Sequence, residues 1–389
     1  MSWINIKNIL KNTIIVSITL VPLFVLIEIF CFYKVTHFQN HTEVKKEYLP
    51  LLKYSKIGKE NLANHFQNII SLGIKNNGAR EYHPNLIYLY KPNLKSETFY
   101  TNSFGLVDDE PNFSKKQILL LGSSVVSSGL RQNFKENIDQ YLEKKIDTTI
   151  GENRYEVLNA GIGGYISNQE FNLMHLLSDK IPFDKVIYMS GANDIDAKYR
   201  VKDFNELRSY DIVHSRVIKS QIEDNLTLRK NPLISIYTYL KNYFLHSLYS
   251  YKYLRHLVSA GSVNNIKSIT KVDLDKTDYD LIDEIVQNYL ANVKKMLFLL
   301  KNNDIQLYVG VQPTIFSKNF KTIDEEKNYN ILINKYGFKY SLYYEKAYPM
   351  MKQGLELLKK EYPKNITLLD TDIIFNDTKI DIFRDNVHF

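Results

Sequence analysis

Five short apolar runs set the strongest limit on what this chain folds into: QILLLG at 117–122, YEVLNAG at 155–161, KVIYMSG at 185–191, IQLYVGVQP at 305–313 and ITLLD at 366–370. Each ends in Gly, Pro or Asp and lacks strict apolar/polar alternation, the pattern of strands buried on both faces in a parallel sheet. Between the first two, Phe134, Ile138, Tyr141, Leu142 and Ile146 recur at helical spacing, with Asn133 and Glu136 as a capping pair. Ile282, Ile285, Tyr289, Val293 and Leu297 repeat the spacing ahead of the fourth run. Strands alternating with helices predict a three-layer α/β/α domain built on a five-stranded parallel sheet, with its site outside the carboxyl ends of the strands.

Composition excludes several classes. Hydrophobic residues make up 44% of the 389, which is enough for a real core. Cys31 is the one cysteine, so neither a disulfide framework nor a thiolate metal site can be assembled. The formal charge of +7 comes with no block of Lys and Arg and no nucleic-acid motif, so no nucleic-acid partner is expected.

Residues 13–33, TIIVSITLVPLFVLIEIFCFY, are long and apolar enough as a helix to cross a hydrocarbon core of roughly 30 Å. The run leaves through Phe30, Cys31, Phe32 and Tyr33 and not through small residues, which reads as an uncleaved anchor. Lys7 and Lys11 before it balance Lys34, Lys45 and Lys46 after it, so charge gives no orientation. Glu28 sits within two turns of the end, where it can reach the interface. The expected organisation is an anchor at 1–34, a polar stalk at 35–82, and a catalytic domain at 83–389 that opens on HPNLIYLYKPN.

Chemistry gathers at the ends of the runs. The first continues into LGSSVVSSG, the second ends NAGIGGY, the third SGANDI, and after the fifth comes DNVH. A phosphate loop is excluded, because GSSVVSSG lacks the Gly-Lys-Ser/Thr ending, and Gly161, Gly163 and Gly164 miss the dinucleotide spacing. Together the four segments supply what attack on an acyl carbon needs: a serine, a histidine to take its proton, and a carboxylate to fix the histidine's tautomer. Ser124, His388 and Asp385 are the available set. The N–H groups of Ser124 and Gly164 and the amide of Asn193 are candidate donors to the oxyanion. His175 falls in a helical pattern and reads as structural. None of the remaining histidines has a carboxylate three residues before it at a strand end.

These segments resemble, in order, the four blocks of the SGNH hydrolases, the GDSL-type esterases, and in particular their membrane-anchored bacterial members. Gly122, Ser123, Ser124 and Gly129 stand for block one, Asn159 to Gly164 for block two, Gly191 to Asp194 for block three, and Asp385 to His388 for block five. TNSFGLVDDE at 101–110 is similar to the segment that precedes block one. The resemblance covers roughly residues 83 to 389 and implies a flavodoxin-like sheet with Ser124 as nucleophile, no metal and no cofactor. Two departures stand out. Ser123 occupies the position of the family's usual Asp, which implies altered local hydrogen bonding and an intact site. His388 is followed only by Phe389, where the family continues into a helix. The expectation is a shortened form, its base shifted toward protonation by the neighbouring terminal carboxylate and its last residues easily opened.

A final feature lies at about 198–270, ahead of the fourth run. Residues 198–267 hold twelve Lys and Arg against five Asp and Glu, a surplus equal to the charge of the whole chain, together with eight tyrosines. Tyr237, Leu240, Phe244, Leu248 and Tyr251 fall on one helical stripe. The plainer reading is a helical hairpin packed on the domain with a solvated basic face; the other is a lid facing lipid headgroups or an anionic glycan. The function expected is that of an anchored serine esterase, its domain on the extracytoplasmic side, removing O-acyl groups, O-acetyl above all, from a cell-surface polysaccharide. An O-acyltransferase using a sugar acceptor and a glycan-binding module without catalysis are the alternatives.

Overall fold

Residues Gln117 to Gly122 are buried without a break, although successive side chains of a strand point to opposite faces. Both faces of the sheet are therefore covered, and the apolar run is what that demands. In this computed structural model β3 (Lys116–Gly122) pairs in parallel with β4 (Tyr155–Gly161) on one side and β5 (Phe183–Ser190) on the other, and β6 (Gln306–Val311) and β7 (Ile366–Leu369) extend the sheet. All five expected strands are present, in the order β4-β3-β5-β6-β7. The order reverses between β3 and β5, which opens a crevice at the carboxyl ends of those two strands.

The described residues are 22–31, 80–95, 100–127, 137–152, 154–200, 273–383 and 385–388. The chain divides into two units, one of Met1–Lys53 with Lys219–Lys267, the other of Tyr54–Ile218 with Ser268–Phe389. In the first, residues 22–31 are described and helical. The rest of the expected span at 13–33, most of the stalk and the basic insert from 201 on lie outside the described residues. Among the described residues no helix is long and apolar enough to cross a membrane.

The second unit carries the sheet. A hairpin of β1 (Arg80–His83) and β2 (Ile87–Tyr90) precedes it. REYH carries no apolar pattern, and pairing with the apolar IYLY is what makes it a strand. Among the described residues its helices are α1 (Ser124–Ser127), α2 (Ile138–Ile150), α3 (Ser167–Ser178), α4 (Ala192–Arg200), α5 (Lys276–Lys301), α6 (Ile323–Tyr336) and α7 (Lys339–Glu361). The stripe Ile282, Ile285, Tyr289, Val293 and Leu297 on α5 is buried as its spacing requires. On α2, Ile138, Leu142 and Ile146 pack on the core, while Tyr141 of the same stripe faces solvent. Asn137 occupies the cap of α2, and the pair Asn133 and Glu136 lies outside the described residues.

Gly122 and Gly161 are register partners at the ends of β3 and β4. They leave the space that α1 fills. A methyl group on Gly161 would collide with the Ser127 amide and come within 2.7 Å of the Val126 carbonyl carbon; one on Gly122 would lie 2.7 Å from the Met189 oxygen. Backbone atoms cannot swing away as a side-chain tip can, so this is overpacking against a fixed wall. Gly161→Ala is expected to lower unfolding free energy by about 1–3 kcal/mol, read from urea denaturation.

Candidate active site

The turn out of β3 separates two adjacent serines. Ser123 is buried, and its hydroxyl donates to Gln312 Oε1 at 3.2 Å. Ser124, the first residue of α1, is partly exposed and faces the other way. Its Oγ lies 2.7 Å from His388 Nε2. The altered hydrogen bonding expected at Ser123 is thus a bond to the end of β6, and it leaves Ser124 open. Asn159 ties the end of β4 to this turn: its amide donates to the Val126 carbonyl at 2.8 Å and to Asp139 at 2.5 Å. Asp108, from the segment 101–110, accepts the Asn159 N–H at 2.6 Å. Burial, then the nearby Asp139, pushes the Asp108 carboxyl well up.

Asp385 organises the last block. Its Oδ1 accepts the N–H groups of Val387 and His388 at 2.9 and 2.8 Å, and its Oδ2 lies 2.6 Å from His388 Nδ1. An ionised carboxylate only accepts, so Nδ1 carries the proton and Nε2 is left to accept from Ser124. Burial would raise the Asp385 carboxyl, but the His388 ring and the two backbone N–H groups outweigh it and hold it below the usual carboxylate range. Ser124, His388 and Asp385 therefore form one hydrogen-bonded chain across the crevice.

A buried ion pair holds the segment that leads into this block. Glu325 on the first turn of α6 accepts the N–H groups of Ile382 and Phe383 at 2.9 and 3.0 Å. Its other oxygen takes Lys318 Nζ at 2.6 Å, and Lys318 also donates to the Ile380 carbonyl at 2.9 Å. Burial pushes the Glu325 carboxyl up, but Lys318 and the backbone donors hold it below its ordinary value. Further along, Ile315 donates to the Asn386 carbonyl at 3.0 Å, the Asn386 amide reaches the Tyr340 hydroxyl at 3.1 Å, and Val387 is buried. This is the segment expected from the sequence to open easily, and it carries hydrogen bonds to Lys318, Glu325, Ile315 and Tyr340 and buries Val387. Phe389, with the carboxylate expected to act on His388, lies outside the described residues. TIDE at 322–325 is legible as a capping box, yet nothing in it says that the same glutamate reaches Ile382 and Phe383.

Two of the expected oxyanion donors, Gly164 and Asn193, follow the ends of β4 and β5. Gly163 approaches the nucleophile: a Cβ built on it would be 3.7 Å from Ser124 Cβ. Gly164 follows with φ of 86°, a left-handed conformation that a side chain resists. Asn193, on the first turn of α4, donates to the Tyr165 carbonyl at 2.8 Å, and its amide has a second N–H. Behind it, Asp194 accepts from Ser167 Oγ at 2.5 Å, and Ser167 accepts from Asn292 at 2.9 Å. Burial pushes the Asp194 carboxyl up to about 6. Neighbouring Glu170, pushed well above its ordinary value by burial and then by the charge of Asp194, is bonded to the Tyr188 hydroxyl at 2.9 Å. His175 is exposed on α3, stacked on Phe171.

No family model matches the chain, and no curated protein matches it. Among solved structures it is similar to AlinE4, an esterase of the SGNH-hydrolase family, at 13% identity and a TM-score of 0.34, covering 72% of this chain and 88% of that one. It is similar to an acetyl xylan esterase, AlAXEase, at 16% identity and a TM-score of 0.28, covering 70% and 91%. The α/β hydrolase LAE5, from the metagenome of Lake Arreo, Spain, is 10% identical with a TM-score of 0.31, covering 70% and 87%. Likenesses this slight assign neither activity nor substrate, and the chain's own residues must carry the functional reading.

Asp194 gives the stability of this site a definite pH dependence. Its folded pKa of about 6 exceeds the ordinary 3.8, so the folded state binds a proton that the unfolded state releases. The stabilisation is fully present below pH 3.8 and is lost as pH rises through about 6. Asp194→Asn is expected to reduce the fall in unfolding free energy between about pH 4 and pH 7 by on the order of 3 kcal/mol, measured by urea denaturation across that range.

Proposed function

We propose that this chain is a serine ester hydrolase working through an acyl-serine intermediate. The observation that carries the reading is the unbroken chain from Ser124 Oγ through His388 to Asp385 at 2.7 and 2.6 Å. His388 Nε2 takes the Ser124 proton as Oγ attacks the acyl carbon, and Asp385 stabilises the imidazolium that results. The N–H groups of Ser124 and Gly164 and the Asn193 amide receive the negative oxygen. His388 then returns its proton to the departing alcohol, and water, deprotonated by the same ring, releases the acid. The left-handed Gly164 and the anchored Asn193 support the oxyanion assignment.

The substrates proposed are O-acyl esters, O-acetyl first, carried by a polysaccharide at the cell surface. The apolar run at 13–33 supports a single-pass anchor, with the domain from about 83 to 389 on the extracytoplasmic side, where such a polymer is found.

Ser124→Ala is expected to lower ester hydrolysis by about 10⁴ to 10⁶, while Ser123→Ala costs far less, measured on p-nitrophenyl acetate and on an O-acetylated glycan. A dead Ser123 variant beside an active Ser124 variant would refute the assignment. For topology, protease added to intact cells is expected to digest the domain; full protection until lysis would reverse the orientation.

A further inference from the structure

The hairpin β1–β2 reaches across to the loop after β4. The Gly163 carbonyl accepts the Tyr88 hydroxyl at 2.9 Å and Arg80 Nη2 at 3.2 Å. Neither residue belongs to the segments that supply Ser124, His388, Asp385, Gly164 or Asn193. The hairpin is itself well held: the guanidinium lies over the rings of Tyr88 and Tyr90 at 4.8 and 5.1 Å and donates to the Tyr90 hydroxyl at 3.2 Å. Gln169 on α3 donates to the Leu86 carbonyl at 2.8 Å, and the Tyr165 hydroxyl donates to the Tyr88 carbonyl. Leu86 and Tyr88 are buried.

The peptide joining Gly163 to Gly164 is planar and trans, so its C=O and its N–H point in opposite directions. Fixing the oxygen of Gly163 fixes the N–H of Gly164. Glycine makes this necessary, because two successive residues without side chains have no rotamer or packing of their own to set that plane. One residue on, the Tyr165 carbonyl is held by Asn193 at 2.8 Å, so the loop is tied at both ends of the Gly164 donor.

We infer that Arg80 and Tyr88 are positioning residues for the oxyanion hole, aiming the Gly164 N–H through the Gly163 carbonyl and strengthening it as a donor. Two hydrogen bonds on the carbonyl oxygen, one of them charge-assisted, draw electron density along the amide and leave the N–H more positive. Burial pushes the Tyr88 hydroxyl well above the ordinary phenol range, so it remains a donor throughout the working pH range. The N-terminal hairpin is then part of the catalytic apparatus although it supplies no group that touches substrate.

This inference rests on the esterase reading and is tested on the full chain in detergent. Tyr88→Phe and Arg80→Gln are each expected to lower kcat on p-nitrophenyl acetate about tenfold with KM within about twofold, a smaller loss than removal of an oxyanion donor causes. Arg80→Lys, which keeps a charged donor, is expected to recover a large part of the Arg80→Gln loss. In glycine-labelled protein, the Gly164 amide proton is expected to move upfield in Tyr88→Phe and Arg80→Gln, with circular dichroism unchanged. Both variants keeping wild-type kcat and an unmoved Gly164 resonance would overturn the clamp, as would losses that follow only the unfolded fraction. A wild-type protein without esterase activity would instead refute the proposed function. The Gly164 resonance then reads the clamp alone, a shift in both variants supporting it and an unchanged resonance overturning it.

Discussion

Asp385 holds His388 twice, by the ring through Oδ2 and by the backbone through Oδ1. The segment DNVH thereby sets the direction of its own imidazole before any other element touches it. The fold has only to deliver that preformed unit to the carboxyl end of β3, with Nε2 pointing at Ser124. Delivery falls to Glu325, which fixes Ile382 and Phe383 just upstream, and to the Ile315 N–H, which fixes Asn386 within the unit. A carboxylate with Lys318 and three backbone donors around it is costly to bury unless every partner is met, and here all are met.

The nucleophile's side of the crevice works by removal of atoms. Gly122 and Gly161, opposite one another in the sheet, let α1 sit down on the strand ends, and Asn159 fastens it there through the Val126 carbonyl. In the turn from β3 into α1, Ser123 faces inward to Gln312 and Ser124, the first residue of the helix, faces His388. Buried acids surround this frame at Asp108, Asp139, Glu170 and Asp194, all raised by burial. They accept from backbone, hydroxyl and side-chain amide groups at the cost of a stability that declines with rising pH.

Much of this was legible in the sequence, for local reasons. Five uninterrupted apolar runs can satisfy both faces of a strand only inside a covered parallel sheet, and the α5 stripe repeats at the helical period. Ser124, Asp385 and His388 were readable because strand-end turns and the Asp-x-x-His spacing are properties of short segments. What only the tertiary structure decided are the pairings between segments far apart in the chain. REYH at 80–83 looks like stalk until it pairs with IYLY, and Arg80 looks like any surface arginine until it meets Gly163, 83 residues on. Glu325 reads as a cap and no more until Ile382 and Phe383 arrive 57 and 58 residues later. Sequence periodicity records which face of an element is buried; it holds no record of which distant backbone group a buried charge will satisfy, because that is fixed only when the layers close and the desolvated donors and acceptors must find one another.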